Sequence, residues 1–279
     1  MARLGLIAGG GGLPLEIAEH CRRTDRPLFV VRLKGFADAG LSAFEGADIG
    51  LAELGRCIKA LKAAGCDAVC LAGLVARPDF AALKPDLRGI AALPGAIAAA
   101  RKGDDALLRF LLGEFEKEGF RVEGAQEVMA DLTLGSGPLG RIEPSPEARA
   151  DAARALEVAR AVGRLDVGQA AVVCRGLVLA VEAQEGTAAM LARVGELPEA
   201  IRGKPSARAG VLAKAPKPIQ ETRVDMPTIG PETLRACAAA GLAGVAGEAG
   251  RLLVIDRESV TALADQLGLF VVGLEPAPA

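Results

Sequence analysis

Residues 214 to 230 read KAPKPIQETRVDMPTIG and contain the densest group of side chains suited to phosphate chemistry. Within twelve residues the segment places the cations Lys214, Lys217 and Arg223, the amide of Gln220 and the carboxylate of Asp225. Cations and amides can neutralise phosphate oxygens, which leaves the carboxylate available for proton transfer. Prolines stiffen the segment, which leads through Thr228 into a predicted helix N-terminus, a second element that favours anions. A solvated charged loop is the alternative interpretation.

A second polar segment, VEAQEGT at residues 181 to 187, follows a predicted strand and begins a predicted helix. Glu182 and Glu185 lie just before that helix, and Thr187 can cap its start. Carboxylates in this position can bind a metal ion or a sugar, or they can simply cap the helix. Both interpretations stay open.

Four glycines at residues 9 to 12, here called the glycine loop, connect a predicted strand to a predicted helix. Backbone amides of Gly10, Gly11 and Gly12 can hold a phosphate there, although a tight turn for packing is an equal alternative. The dinucleotide fingerprint is incomplete because Pro14 occupies its last glycine position. Asp104 opens another predicted helix, where it can cap the helix or face a ligand.

The single histidine, His20, excludes whole classes of mechanism. Ser-His-Asp triads and histidine-rich zinc sites need histidines that the chain does not contain. Acid-base chemistry then depends on carboxylates, lysines or a metal-bound water. A metal ion would be a hard cation held by oxygen atoms, which suits magnesium and phosphate chemistry.

Composition predicts a globular cytoplasmic protein. Hydrophobic residues make up 51% of the 279, charged residues 24%, and the formal net charge is −2. The chain therefore lacks the basic excess of a nucleic-acid-binding protein. Its six cysteines form no CxxC pair, so we expect reduced and mostly buried thiols. No apolar stretch is long enough to span a membrane.

Alternating strand and helix patterns in the first half predict an α/β fold with a parallel sheet. We expect a Rossmann-like N-terminal domain over residues 1–132, a linker rich in glycine and proline over 133–146, and a mixed α/β catalytic domain over 147–279. The first strand and helix are predicted at Leu4 to Ala8 and Leu13 to Arg23. In the second half, a hairpin turns at Arg175-Gly176.

Five motifs in this order resemble one enzyme family: LIAGGGGLP at 6–14, GDDALLR at 103–109, VLAVEAQEGT at 178–187, KAPKPIQETRVDMPTIG at 214–230 and AGLAGVAGEAG at 240–250. The family is the UDP-2,3-diacylglucosamine pyrophosphatases of lipid A biosynthesis, of the LpxI type. The resemblance covers the whole chain. It implies magnesium-dependent hydrolysis of UDP-2,3-diacylglucosamine to UMP and 2,3-diacylglucosamine 1-phosphate (lipid X), with an active site in an interdomain cleft.

The resemblance also implies roles for individual residues. Asp225 becomes the essential acid, as a magnesium ligand or as the base that orients water. Lys214, Lys217 and Arg223 are expected to neutralise phosphate, while Gln220, Thr187 and Thr228 position the substrate together with Asp104 and the glycine loop. Glu182 and Glu185 are expected to bind the metal ion or the sugar. Peripheral contact with the inner membrane and a homodimer are further expectations.

Two alternatives from other functional classes stay open. The first is a pyrophosphatase or transferase that acts on a soluble nucleotide sugar, and it predicts activity on unacylated UDP-sugars. The second is a regulator that binds a nucleotide sugar without catalysis.

Overall fold

The computed structural model describes residues 2–76, 79–80, 82–217, 221 and 223–275. It divides into two compact units, of which unit 1 comprises residues 1–130 and 221–225, and unit 2 comprises residues 131–220 and 226–279. The short segment 221–225, here called the Asp225 loop, therefore belongs to unit 1, although most of unit 2 precedes it along the chain.

Unit 1 is a parallel sheet with helices. Its strands are β1 (Leu4–Ala8), β2 (Leu28–Leu33), β3 (Gly46–Ile49), β4 (Ala68–Ala72) and β5 (Arg121–Val122). Their order is β3-β2-β1-β4-β5, and every neighbouring pair is parallel. The helices are α1 (Leu13–Arg23), α2 (Leu54–Ala63), α3 (Leu87–Ala100), α4 (Asp104–Lys117) and α5 (Ala125–Val128). This topology confirms the predicted Rossmann-like sheet.

The central strand β1 is buried along its whole length, as expected for a parallel strand covered on both faces. Its continuous apolar run made the strand predictable from the sequence, and the helical spacing of apolar residues did the same for α1. Short 3-10 helices lie at Ala39–Ala43 and Ala130–Leu132.

Helix α3 was not predicted, because it contains Pro94 and two glycines. Asp86 caps its N-terminus by accepting a hydrogen bond of 2.7 Å from the amide of Gly89. Gly89 and Gly95 serve close packing: an added Cβ would lie 2.1 Å from the carbonyl oxygen of Ala52 and 2.6 Å from the ring of Phe110, respectively. The residues that weaken the helical propensity are thus those that let α3 approach α4 and the β3–α2 loop.

Unit 2 contains a mixed six-stranded sheet in the order β6-β13-β11-β9-β7-β8. The unit's strands are β6 (Gly137–Leu139), β7 (Ala170–Cys174), β8 (Leu177–Val181), β9 (Val211–Lys214), β10 (Thr228–Ile229), β11 (Gly244–Glu248), β12 (Leu253–Val254) and β13 (Phe270–Leu274). The central strands β9, β11 and β13 are parallel, whereas β7 and β8 form the predicted hairpin. Strands β10 and β12 pair separately in parallel.

The helices of unit 2 are α6 (Pro146–Arg164), α7 (Gly186–Glu196), α8 (Pro231–Ala239) and α9 (Arg257–Leu267). Helix α6 packs on one face of the sheet through alanines that include Ala152, Ala155 and Ala159. Small side chains allow close packing there, and Ser145 caps the helix by accepting a hydrogen bond from the amide of Ala148.

The predicted linker, residues 133–146, contains strand β6, which pairs with β13 at the edge of the unit 2 sheet. A three-residue strand with the sequence Gly-Pro-Leu, followed by Gly140, has the composition of a turn, and only its pairing makes it a strand. Among the described residues, no helix has the length and hydrophobicity needed to cross a membrane.

Candidate active site

The Asp225 loop is tied to the first turns of α4. The backbone amide of Glu221 donates to the carboxylate of Asp105 over 2.6 Å. Arg109 donates to the other carboxylate oxygen of Asp105 over 2.7 Å and reaches the carboxylate of Glu221 at 3.4 Å. The amide of Asp225 then donates to the carbonyl of Glu221 over 3.1 Å, which closes the loop. These bonds fix the backbone that carries Asp225.

Arg223 holds the same loop from a second side. Its guanidinium donates two hydrogen bonds to the carboxylate of Glu221, at 2.9 and 3.0 Å, and a third to Glu116 on α4 at 2.8 Å. Hydrogen bonding to Glu221 raises the pKa of Arg223, and the same bonds lower the pKa of Glu221. A guanidinium held between two carboxylates serves to position the loop.

A cavity of about 480 Å³ lies beside the Asp225 loop, at the carboxyl edge of the unit 1 sheet. Asp225 is half-buried and forms part of its wall. The rest of the wall is mainly apolar and includes Leu51, Leu54, Leu107, Leu111, Phe115 and Val224. Ligands of open α/β sheets bind at this edge, so the position and the carboxylate together mark a candidate site.

The thiol of Cys57 also lines this cavity. All six cysteines are free and buried, which confirms the prediction from their spacing. Burial raises the pKa of Cys57 to about 12, so the thiol stays protonated at neutral pH and is a poor nucleophile. The cavity therefore offers the carboxylate of Asp225, and not a thiolate, for chemistry.

The glycine loop is bonded to the loop that follows β4. The amide of Gly9 donates to the carbonyl of Ala72, and the amides and carbonyls of Gly10 and Leu74 bond to each other, all at 2.8 Å. An added Cβ on Gly73 would lie 2.7 Å from the carbonyl oxygen of Gly10. The glycines are thus needed for two backbones to approach closely, as the packing alternative held.

The amide of Gly10 is already bonded to the carbonyl of Leu74 and cannot also bind a phosphate. Gly11 and Gly12 are the exposed residues of the glycine loop. Gly11 has a φ of +85°, a left-handed conformation that strains other residues. Contact between this loop and phosphate stays a prediction.

Four of the predicted site residues meet in unit 2, and they come from both of the predicted polar segments, 181–187 and 214–230. The hydroxyl of Thr187 donates to the carboxylate of Glu182 over 2.5 Å and accepts from the ammonium of Lys214 over 3.0 Å. The ammonium also donates to the carbonyl of Thr228 over 3.1 Å. Glu182 and Lys214 are each 6% exposed. We name this group the Lys214 cluster.

The Lys214 cluster shows that the predicted helix cap by Thr187 is wrong. Thr187 was expected to cap α7, but the N-cap residue is Glu185, and the Thr187 side chain joins the buried charges instead. The carboxylate of Glu185 pairs with Arg193 on the same helix. Hydrogen bonds from its own backbone amide and from Arg193 lower the pKa of Glu185.

The remaining predicted residues have separate environments. The ammonium of Lys217 donates to Asp166 over 2.7 Å. Asp104 is the first residue of α4, and its side chain is outside the described part of the structure. Gln220 lies outside the described residues altogether. The residues that anchor the Asp225 loop, Asp105, Arg109 and Glu221, were not predicted.

The residues predicted to bind magnesium belong to different units: Asp225 to unit 1, and Glu182 and Glu185 to unit 2. Within the part of the chain that the structure describes, no group of three or more His, Cys, Asp or Glu side chains could hold a metal ion. Because Mg2+ is usually bound by only one or two protein carboxylates together with waters and substrate phosphates, magnesium binding by these residues stays a prediction, and we assign no step to a metal ion.

One curated relative is the UDP-2,3-diacylglucosamine pyrophosphatase LpxI of Caulobacter vibrioides. It is 64% identical over 276 residues, which cover 99% of each chain. This finding corrects the function predicted from the sequence, magnesium-dependent hydrolysis to UMP and lipid X. The name of the relative supports a pyrophosphatase for UDP-2,3-diacylglucosamine but carries no magnesium dependence. Mg2+ as a cofactor stays a prediction.

Two family models match consecutive parts of the chain. The LpxI N-terminal domain matches residues 3–132, and the LpxI C-terminal domain matches residues 135–272. Together with the relative, these matches confirm the family that the five motifs indicated. The chain belongs to the LpxI family.

Proposed function

We propose that this chain is a hydrolase that cleaves the pyrophosphate bond of UDP-2,3-diacylglucosamine. The observation that carries the proposal is the 64% identity, over 99% of both chains, to a curated pyrophosphatase for this substrate. The geometry of unit 1 adds support: one carboxylate, Asp225, stands on an anchored loop at the carboxyl edge of a parallel sheet.

The reaction needs a water molecule, a base and stabilisation of charge. Water attacks one phosphorus, the bond from that phosphorus to the bridging oxygen breaks, and the bridging oxygen leaves on the other phosphate. Asp225 accepts a proton from the water or orients it, which is the role of a positioned general base. Each product is then a phosphomonoester.

Arg223 affects this reaction indirectly, because it holds the Asp225 loop in place. The sequence suggested that its charge neutralises phosphate, but its guanidinium is bonded to Glu221 and Glu116. We assign it the task of holding Asp225 in place. Lys214 and Lys217 stay the predicted cations for the phosphates, and Gln220, Thr228 and the glycine loop stay predicted contacts. The interdomain cleft and a homodimer also stay predictions.

A substrate comparison tests the proposed function. The purified chain is incubated with UDP-2,3-diacylglucosamine, with unacylated UDP-glucosamine and with UDP-glucose, and phosphorus NMR follows conversion of pyrophosphate signals into phosphomonoester signals. We expect conversion of the acylated substrate at least about 100-fold faster than the others, because its acyl chains add apolar binding energy. Equal or faster conversion of the soluble sugars would favour the alternative enzyme, and binding without conversion would favour the regulator.

We also propose that unit 1 contacts a lipid bilayer, and the same assay can test this contact. Leu74, Leu87 and Ile90 in unit 1 have exposed side chains, Leu87 being 88% exposed, and such groups can enter a lipid surface. We expect faster turnover of substrate in anionic vesicles than in neutral detergent micelles. The same turnover in both would count against the proposal.

A further inference from the structure

A second, smaller pocket of about 90 Å³ adjoins the cavity beside Asp225. The two share four wall residues, namely Leu51, Leu54, Leu107 and Leu111. The smaller pocket lies between α3 and α4, where its wall includes Leu93, Ala96 and Phe110. The apolar space that begins beside the carboxylate thus continues between these two helices.

The walls of this space select for alkyl groups. In the larger cavity, the described wall residues with ionisable carboxylates are Glu53 and Asp225, and the described wall of the smaller pocket has no charged or hydrogen-bonding side chain. Glu53 already accepts a hydrogen bond of 2.6 Å from the amide of Gly50. A polar ligand placed between the leucines would lose its hydrogen bonds to water, whereas an alkyl chain gains from leaving water.

We propose that the larger cavity takes one acyl chain of the substrate, and that the pocket between α3 and α4 sets the length of chain that is accepted. This inference rests on the proposed function, because the lipid is the proposed substrate. It assigns a binding site for an acyl chain to unit 1 and makes Ala96 and Leu93 determinants of chain length.

Filling and enlarging the pocket test the proposal. The Ala96→Phe substitution fills the pocket from α3, and Leu93→Ala enlarges it. A matched control is Ala63→Phe, which makes the same change at an exposed position of α2, away from both cavities. Substrates carrying butanoyl, tetradecanoyl or hexadecanoyl chains are presented in detergent micelles, and kcat/KM is measured for each.

We expect Ala96→Phe to lower kcat/KM for the tetradecanoyl substrate about 10- to 100-fold, because about three methylenes lose their site, and to leave the butanoyl substrate unchanged. Leu93→Ala should raise the ratio of hexadecanoyl to tetradecanoyl kcat/KM, which keeps the test valid if the filled variant does not fold. Ala63→Phe should match the wild type on every chain length.

Two outcomes would overturn the inference. Either Ala96→Phe lowers kcat/KM equally for short and long chains, or neither pocket variant changes the dependence on chain length. Failure of the proposed function looks different, because the wild-type protein would then convert none of the three acylated substrates.

Discussion

The Asp225→Asn substitution is expected to lower turnover of UDP-2,3-diacylglucosamine about 100- to 10,000-fold, the range for loss of a positioned general base. The neutral amide cannot accept the proton of the attacking water. The fold should persist, because the Asp225 loop is anchored by Asp105, Arg109 and Arg223 and not by the Asp225 side chain alone. We expect the free energy of unfolding to change by less than about 1 kcal/mol.

The measurement is kcat in the phosphorus NMR assay, together with urea unfolding of the same preparations. Asp48→Asn provides the control, since it also neutralises a carboxylate of unit 1, one that pairs with Arg32 on the surface of the sheet edge. It should keep turnover near the wild-type value. Normal turnover by Asp225→Asn, with Asp48→Asn equally active, would refute the role of Asp225.

The second large effect concerns stability of unit 2. Lys214→Met is expected to lower the free energy of unfolding by about 3 to 5 kcal/mol, because it leaves the buried carboxylate of Glu182 without the nearby ammonium. Adding Glu182→Gln should recover most of that loss, since the cluster then holds no uncompensated charge. Urea unfolding of the wild type, both single variants and the double variant measures the coupling free energy.

An exposed lysine of the same unit supplies the comparison. Lys204→Met removes a charge from the surface and should change stability by less than about 0.5 kcal/mol. If Lys214→Met were no more destabilising than Lys204→Met, or if Glu182→Gln added a further full loss, then Glu182 and Lys214 would not depend on each other.

The sequence predicted the elements whose apolar pattern is local and regular. Strand β1 and helix α1 have the predicted bounds, because one is a continuous apolar run and the other repeats apolar residues at helical spacing. Helix α3 was missed because Pro94 and its glycines lower helical propensity, and the packing that compensates involves Ala52 and Phe110 from other elements.

The arrangement of the candidate site also depends on contacts between residues that are distant along the chain. Lys214, Arg223 and Asp225 looked like one charged strip because they are close along the chain, yet Lys214 belongs to unit 2 and the other two to unit 1. The residues that hold the Asp225 loop lie about a hundred positions earlier, on α4. Such pairings depend on the tertiary structure, so a single sequence indicates which side chains are chemically suited but not which of them meet.

Hydrolysis in water enriched in heavy oxygen tests the central claim most directly. The wild-type protein is given UDP-2,3-diacylglucosamine, and the two phosphomonoester products are weighed by mass spectrometry. A pyrophosphatase places a single oxygen atom from water in one of the two products in each turnover, so we predict that one product carries one heavy oxygen atom and the other none. Products without heavy oxygen, or intact substrate after prolonged incubation, would contradict the account.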